Sequence, residues 1–168
     1  MLQDELIYRI RQSFGFEPTL DQNHALTTFA AFMTDRADRA VMILRGSAGT
    51  GKTSLSGVIV RTMLQLKQRV VLLAPTGRAA KVFAINSDTP ASTIHRRIYR
   101  QKSLEGNFSL APNMYADTLF MVDEASMIAN EGLQGSVFGT GCLLDDLVQF
   151  VYSGRNCRLM LIGDKAQL

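Results

Sequence analysis

The stretch Gly46-Ser47-Ala48-Gly49-Thr50-Gly51-Lys52-Thr53 is a complete G-x-x-x-x-G-K-[ST] phosphate loop, and its flanks leave few folds open. The apolar run Ala40-Val41-Met42-Ile43-Leu44 before it reads as a buried strand. After it, Leu55, Val58, Ile59, Met63 and Leu66 fall on one face of a helix. The glycines let successive N–H groups point into one concavity, and the helix adds the positive end of its dipole. Such a cradle suits a phosphate chain. Lys52 is placed to reach the β- and γ-phosphates and the Thr53 hydroxyl to ligate Mg²⁺. Gly46, Ser47, Ala48, Gly49, Thr50, Gly51 and Ser54 complete the expected contact set. The plain alternative, a glycine-rich turn, explains neither the Lys-Thr pair nor its register. The sequence therefore implies a site for a nucleoside triphosphate such as ATP.

At 168 residues, with 46% hydrophobic and 20% charged residues, the chain has the length and composition of one globular domain with a sizeable core. Cys142 and Cys157 form no C-x-x-C pair and no disulfide framework, so reduced thiols in a cytoplasmic protein are expected. The opening Met1-Leu2-Gln3-Asp4-Glu5 does not read as a signal peptide. No apolar run approaches the roughly 18 residues of a membrane span. The net charge of +3 is unevenly spread. Arg69, Arg78, Lys81, Arg96, Arg97, Arg100 and Lys102 stand against Asp88 alone, while the remainder is acidic. Such a block is either a track for a polyanion or a solvated basic face, and charge alone does not choose.

Periodicity divides the chain into N-terminal helices over 1–39 and a sheet-bearing domain over 40–168. Helices are expected from Leu6 to Phe14 and from Leu20 to Phe32, then near Arg78–Ile85, Thr93–Tyr99 and Leu143–Val151. Strands are expected at 40–45, 70–74, 119–122 and 158–162. Short, continuously apolar strands alternating with helices predict an α/β fold, a mostly parallel sheet with helices on both faces. Chemistry in such a fold belongs at the carboxyl ends of the strands. The polar clusters Gly46–Thr53, Pro75–Lys81, Asp123-Glu124 and Gly163–Gln167 all fall there. Two regions break the rhythm. Residues 100–117 carry a turn signal at Gly106-Asn107 that fits a small hairpin, and 129–141 hold Gly132, Gly135, Gly139 and Gly141 as an irregular loop.

Asp123-Glu124 ends an apolar strand. Asp123 suits Mg²⁺ through its water shell, and Glu124 suits orienting or deprotonating an attacking water. The bland reading is a pair of solvated loop carboxylates, but the phosphate loop earlier in the chain favours the catalytic one. Thr19-Leu20-Asp21-Gln22 reads as a helix-capping box, with Thr19 as N-cap and Gln22 reaching back. A Gln amide also matches the N7 acceptor and N6 donor of adenine, and the two roles are compatible.

Taken in order, Gln22, residues 46–53, Ala74–Lys81, Ser92–Arg96, Val122–Met127 and Leu161–Leu168 closely resemble the motifs of superfamily 1 DNA helicases. The likeness is greatest to the RecD-like branch, which includes the Dda-type enzymes, and runs from about Phe16 to Leu168. The resemblance implies a RecA-like P-loop NTPase domain that couples ATP hydrolysis to movement along single-stranded DNA, with 5′-to-3′ polarity. RNA is the less favoured track. It makes Gln22 the adenine reader and Gln167 the sensor of the γ-phosphate, supported by Asp164. With Lys52, Asp123 and Glu124, Gln167 completes the implied catalytic set. It also lays Pro75, Thr76, Gly77, Arg78, Lys81, Thr93, His95 and Arg96 under the DNA strand, where hydroxyls, N–H groups and cations hold phosphates without reading sequence. Taken alone, His95 is as well explained as a structural hydrogen-bonding residue.

The segment 100–117 stands where RecD-like enzymes insert a strand-separating pin, and a plain surface hairpin explains it equally. The 129–141 stretch is longer than the family's usual link and has no assigned mechanism. The sequence stops inside the last motif, so the expected partner is a second RecA-like domain of the same polypeptide, which supplies arginines to the ATP site. On that expectation the chain alone is a weak ATPase and no helicase. A stand-alone nucleotide- or DNA-binding module is the rival reading. A P-loop kinase or switch protein is weaker, because it has no use for Thr93–Arg96 and Gly163–Leu168 where they stand.

Overall fold

A computed structural model of the chain describes residues 2–37, 39–46, 51–101, 104, 106–128 and 138–164. The chain opens with helices α1 (Gln3–Ser13) and α2 (Leu20–Thr34), then strand β1 (Val41–Gly46) and helix α3 (Lys52–Gln65). Next come β2 (Arg69–Ala74), α4 (Gly77–Ser87), β3 (Ala91–Thr93), α5 (Ile94–Ile98), β4 (Tyr99–Gln101) and β5 (Phe108–Leu110). β6 (Thr118–Val122), a 3₁₀ turn (Ala125–Met127), α6 (Leu143–Ser153) and β7 (Arg158–Asp164) complete the order.

The five longer-range strands form one parallel sheet in the order β1-β7-β6-β2-β3. Alternating side chains of these strands feed two cores, so the sheet is covered on both faces as its apolar strands predicted. Met42, Leu44, Leu119, Met121, Met160 and Ile162 pack with α1, α2, α3 and α4. Leu73, Phe120, Val122, Leu159 and Leu161 pack with α5, α6 and the root of the β4–β5 hairpin. The N-terminal helices therefore share the sheet's own core through Leu6, Ile10, Leu26 and Phe29. On edge strand β1 the second face stays open, with Val41 37% and Ile43 51% exposed.

Two features depart from the sequence reading, and the small hairpin expected over 100–117 is present. Ala91–Thr93 is a fifth strand, paired to β2 from Leu72↔Ala91 to Ala74↔Thr93, although it carries no apolar run. The helix expected over Thr93–Tyr99 shrinks to Ile94–Ile98, because Thr93 serves as its N-cap and Tyr99 enters β4. The turn signal at Gly106-Asn107 lies within an antiparallel β4–β5 hairpin, and Phe138 bridges to Phe108 as a further edge. The glycine-rich stretch thus ends against the hairpin; its residues 129–137 lie outside the described residues.

The amino ends of the strands share one device. Arg39, Lys67, Asp117 and Asn156 all have left-handed backbone (φ 60, 61, 52 and 53°) just before β1, β2, β6 and β7. Asp117 joins two of these turns, accepting from Asn156 Nδ2 at 2.8 Å through its carboxylate and from Gln68 Nε2 at 2.6 Å through its carbonyl. Among the described residues no helix is long and apolar enough to cross a membrane.

Candidate functional site

Sheet register assembles the site. Gly46 at the end of β1 lies opposite Asp164 at the end of β7, and Val122 of β6 lies opposite Leu161 of β7. β7 therefore separates the phosphate-loop strand from the strand leading to Asp123 and Glu124. Two inter-strand steps set the ends of those two strands about 10 Å apart, with the end of β7 between them.

Ser47, Ala48, Gly49 and Thr50 lie outside the described residues, but both ends of the loop are placed. Gly51, at φ 86°, is the N-cap of α3, and no side chain caps that helix. The first-turn N–H groups, where Lys52, Thr53 and Ser54 stand, have no intrahelical acceptor and suit an anion. Thr53 and Ser54 are exposed there. Lys52 Nζ donates to Gly46 O, to Gly163 O at 3.4 Å and to Asp164 Oδ1 at 2.7 Å.

Gln22 performs the capping role in full. Its N–H donates to Thr19 Oγ1 at 3.1 Å, and its Oε1 accepts from Thr19 N at 3.0 Å. That contact fixes which end of the amide faces outward: Nε2 is turned toward Gly51, where an added Cβ would lie only 2.5 Å from it. Oε1 keeps a second lone pair beyond the one the cap uses. A cavity of about 460 Å³ runs from here between α2 and β1, past Gln22, His24, Thr28, Ile43, Arg45 and Lys52. Gly51→Ala should therefore cost about 1–2 kcal/mol through backbone strain and displacement of Gln22. The expected fall in Tm is about 2–8 °C, read by circular dichroism; an unchanged Tm would show that the loop adapts freely.

On the other side of β7, Glu124 has left-handed backbone (φ 52°), which turns the chain sharply out of β6. Its N–H donates to Asp123 Oδ1 at 2.9 Å. Burial pushes the Asp123 carboxyl above its ordinary range; Asp164 adds to the rise, while the Glu124 N–H and Lys52 oppose it. Burial also raises Glu124, reinforced by Asp123 and Asp164. Three carboxylates around one ammonium make a place that favours added positive charge. Gln167 lies outside the described residues.

The residues expected along a nucleic-acid track fall at the carboxyl ends of β2 and β3, beside the carboxylates. Thr76 and Thr93 hydroxyls act as N-caps, accepting from Ala79 N at 3.1 Å and Arg96 N at 3.2 Å. Capping uses an oxygen lone pair and leaves each O–H free to donate. Gly77, Arg78, Lys81 and Arg96 are exposed nearby, and Pro75 is half-buried. The basic block is not one surface, however. Arg69 begins β2, at the opposite end of the sheet from Ala74, and Arg97 Nη1 donates to Tyr115 Oη at 2.8 Å. Lys102 lies outside the described residues. His95 is held by aromatic rings, edge-on to Phe138 at 4.8 Å and tilted against Tyr99 at 5.7 Å. Burial lowers its pKa, which disfavours the imidazolium form.

Sequence reasoning missed the hub behind His95. Asp146 in the first turn of α6 is 2% exposed. It accepts from Tyr99 Oη at 2.6 Å, from Thr140 N at 3.1 Å and from Thr140 Oγ1 at 2.9 Å. Gly139, at φ 47°, passes so close that an added Cβ would lie 2.3 Å from Asp146 Oδ2. An acidic residue near the start of an amphipathic helix reads as a dipole partner, and nothing local marks this one as buried.

A family model described as an AAA domain matches residues 20–168. The ATP-dependent RecD2 DNA helicase of Deinococcus radiodurans is 31% identical over 140 residues, covering 83% of this chain and 17% of that protein. An uncharacterized protein of Methanocaldococcus jannaschii is 31% identical over 137 residues, 73% of this chain and 12% of its own length. The multifunctional conjugation protein TraI of Escherichia coli is 33% identical over 95 residues, 52% and 5% respectively. The chain spans less than a fifth of each of these relatives.

Proposed function

The chain belongs to the AAA domain family, and on that premise we propose that it is the ATP-binding motor domain of a RecD-like helicase acting on single-stranded DNA. It is related to RecD-like helicases at modest identity. The observation that supports the reading best is the register. Gly46, Asp164 and Asp123 end three successive strands, and Thr76 and Thr93 follow on the next two. Nucleotide side and polyanion side are thus adjacent on one sheet edge, with Glu124 between them.

The residues present fit a magnesium-bound triphosphate. Gly51 opens α3 with first-turn N–H groups that no side chain caps, and its missing Cβ leaves room for the Gln22 amide beside the loop. Among the described residues no three ligating side chains form a metal cage by themselves. One carboxylate, one hydroxyl and the substrate's own phosphates is the arrangement Mg²⁺ favours. Thr53 and Asp123 would hold the ion, and Lys52 the β- and γ-phosphates. Gln22 would meet the base through Nε2 and the spare lone pair of Oε1. Mg·ATP would supply the phosphoanhydride bond whose hydrolysis drives the motor. Glu124, turned out by its left-handed backbone, would orient a water and take its proton. We assign Gln167 the role of sensing the γ-phosphate, and a second RecA-like domain the arginines that a phosphoryl-transfer site needs.

Thr76, Thr93, Arg78, Lys81 and Arg96 would grip the DNA backbone without reading its sequence. Binding of a labelled oligothymidylate should therefore weaken as salt rises. Arg78→Ala with Lys81→Ala removes two phosphate contacts, which should flatten the slope of log K against log salt by about 1.4 for a single strand. Fluorescence anisotropy across a salt series measures this. An unchanged slope would place the track elsewhere. In the intact protein ATP should also shift DNA affinity; no shift would favour a binding module without motor activity.

A further inference from the structure

We propose that Asp164 is a positioning residue whose carboxylate holds the Lys52 ammonium and is exchanged for a nucleotide phosphate on binding. The proposal rests on the nucleotide-binding reading above and concerns how that site is tuned. Lys52 has three N–H donors, and three acceptors claim them: Gly46 O, Gly163 O and Asp164 Oδ1. A phosphate oxygen can reach the ammonium only by taking one of these places.

The two carbonyls belong to the ends of β1 and β7, whose positions are set by the sheet register Arg45↔Gly163 and Gly46↔Asp164. They cannot leave without unpairing strands. Asp164 is a side chain, and 47% of it is exposed, against 16% for Lys52. It is also the acceptor that repels a phosphate, because both are anions. The carboxylate is therefore the partner that yields.

Exchange has a consequence for the metal. A released Asp164 carboxylate stands near Asp123 and Glu124, since both of those groups already sense its charge. Metal-free nucleotide would leave three carboxylates beside a polyphosphate with Lys52 as the shared cation. Mg²⁺ arriving with the nucleotide offsets that charge. Asp164 thus penalises nucleotide without metal more than nucleotide with it.

The test is calorimetric titration of the chain with ADP, with Mg²⁺ and with chelator, in wild type and Asp164→Asn. The neutral amide preserves size while removing the competing charge. Affinity for metal-free ADP should rise about two- to five-fold, the scale of a partly exposed ion pair. The gain with Mg²⁺ should be smaller, so the ratio of the two affinities contracts. In a Lys52→Ala background the same substitution should give less than the single-variant gain, because the pair it breaks is already gone. Thermal melts confirm that each variant is folded. Wild-type binding with an unchanged or weakened Asp164→Asn under both conditions overturns the exchange alone. A folded wild type that binds no nucleotide under either condition overturns the nucleotide reading and the exchange with it.

Discussion

Lys52→Ala is expected to weaken binding of Mg·ADP and Mg·ATP by about 10- to 150-fold, the equivalent of about 1.5–3 kcal/mol for a lost charge-assisted contact. The size of the loss reflects what Lys52 faces. Its ammonium is the cation beside Asp123, Glu124 and Asp164, and it opposes the upward pull on both Asp123 and Glu124. Removing it takes away a phosphate donor and leaves an acidic pocket that repels the same phosphate. Stability should change far less, since the Lys52–Asp164 pair is partly exposed and such pairs contribute little. Calorimetry for affinity and circular dichroism for melting separate the two effects. Equal nucleotide affinity in wild type and variant would mean that the phosphate loop does not hold phosphate in this chain.

The strands that carry the site were legible because each is a continuous apolar run ending in a polar cluster. β1, β2, β6 and β7 all show this pattern, and a parallel sheet buried on both faces requires it. β3 escaped because Ala91-Ser92-Thr93 contains no such run; it forms through its pairing to β2. Local pattern also cannot give strand order. That β7 lies between β1 and β6 is a property of the whole sheet, and it brings Asp164 onto Lys52. Charge along the chain was likewise a poor guide to charge in space. Arg69 and Arg78 are near in sequence, yet β2 carries them to opposite ends of the sheet. The capping box at Thr19–Gln22 was legible from its spacing, whereas the outward aim of Nε2 depends on packing against Gly51.

Asp146→Ala should lower Tm by about 6–12 °C, a loss of about 3 kcal/mol. The carboxylate ties α6 to the turn just before it at Thr140 and, far away in sequence, to the root of the hairpin at Tyr99. Burial first, then the hydrogen bond and charge of Asp146, raises the Tyr99 pKa, so the phenol remains a donor throughout the working range. Truncation to alanine strands that buried hydroxyl and removes the anchor of the Thr140 turn, and the penalty for an unpaired buried donor exceeds the net worth of the bond. Tyr99→Phe removes the donor and keeps the ring against His95 and Phe138, so it should cost less, about 1–2 kcal/mol. Combined with Asp146→Ala, it should instead restore part of the lost stability, because the unpaired hydroxyl is gone. Hydrogen exchange reports where the loss falls. Amides of Tyr99–Gln101 and Phe108–Leu110 should lose protection first, since the hairpin has two short strands and depends on this anchor. An Asp146→Ala variant that melts with wild type and keeps those amides protected would show that the aromatic rings alone hold the hairpin to the domain.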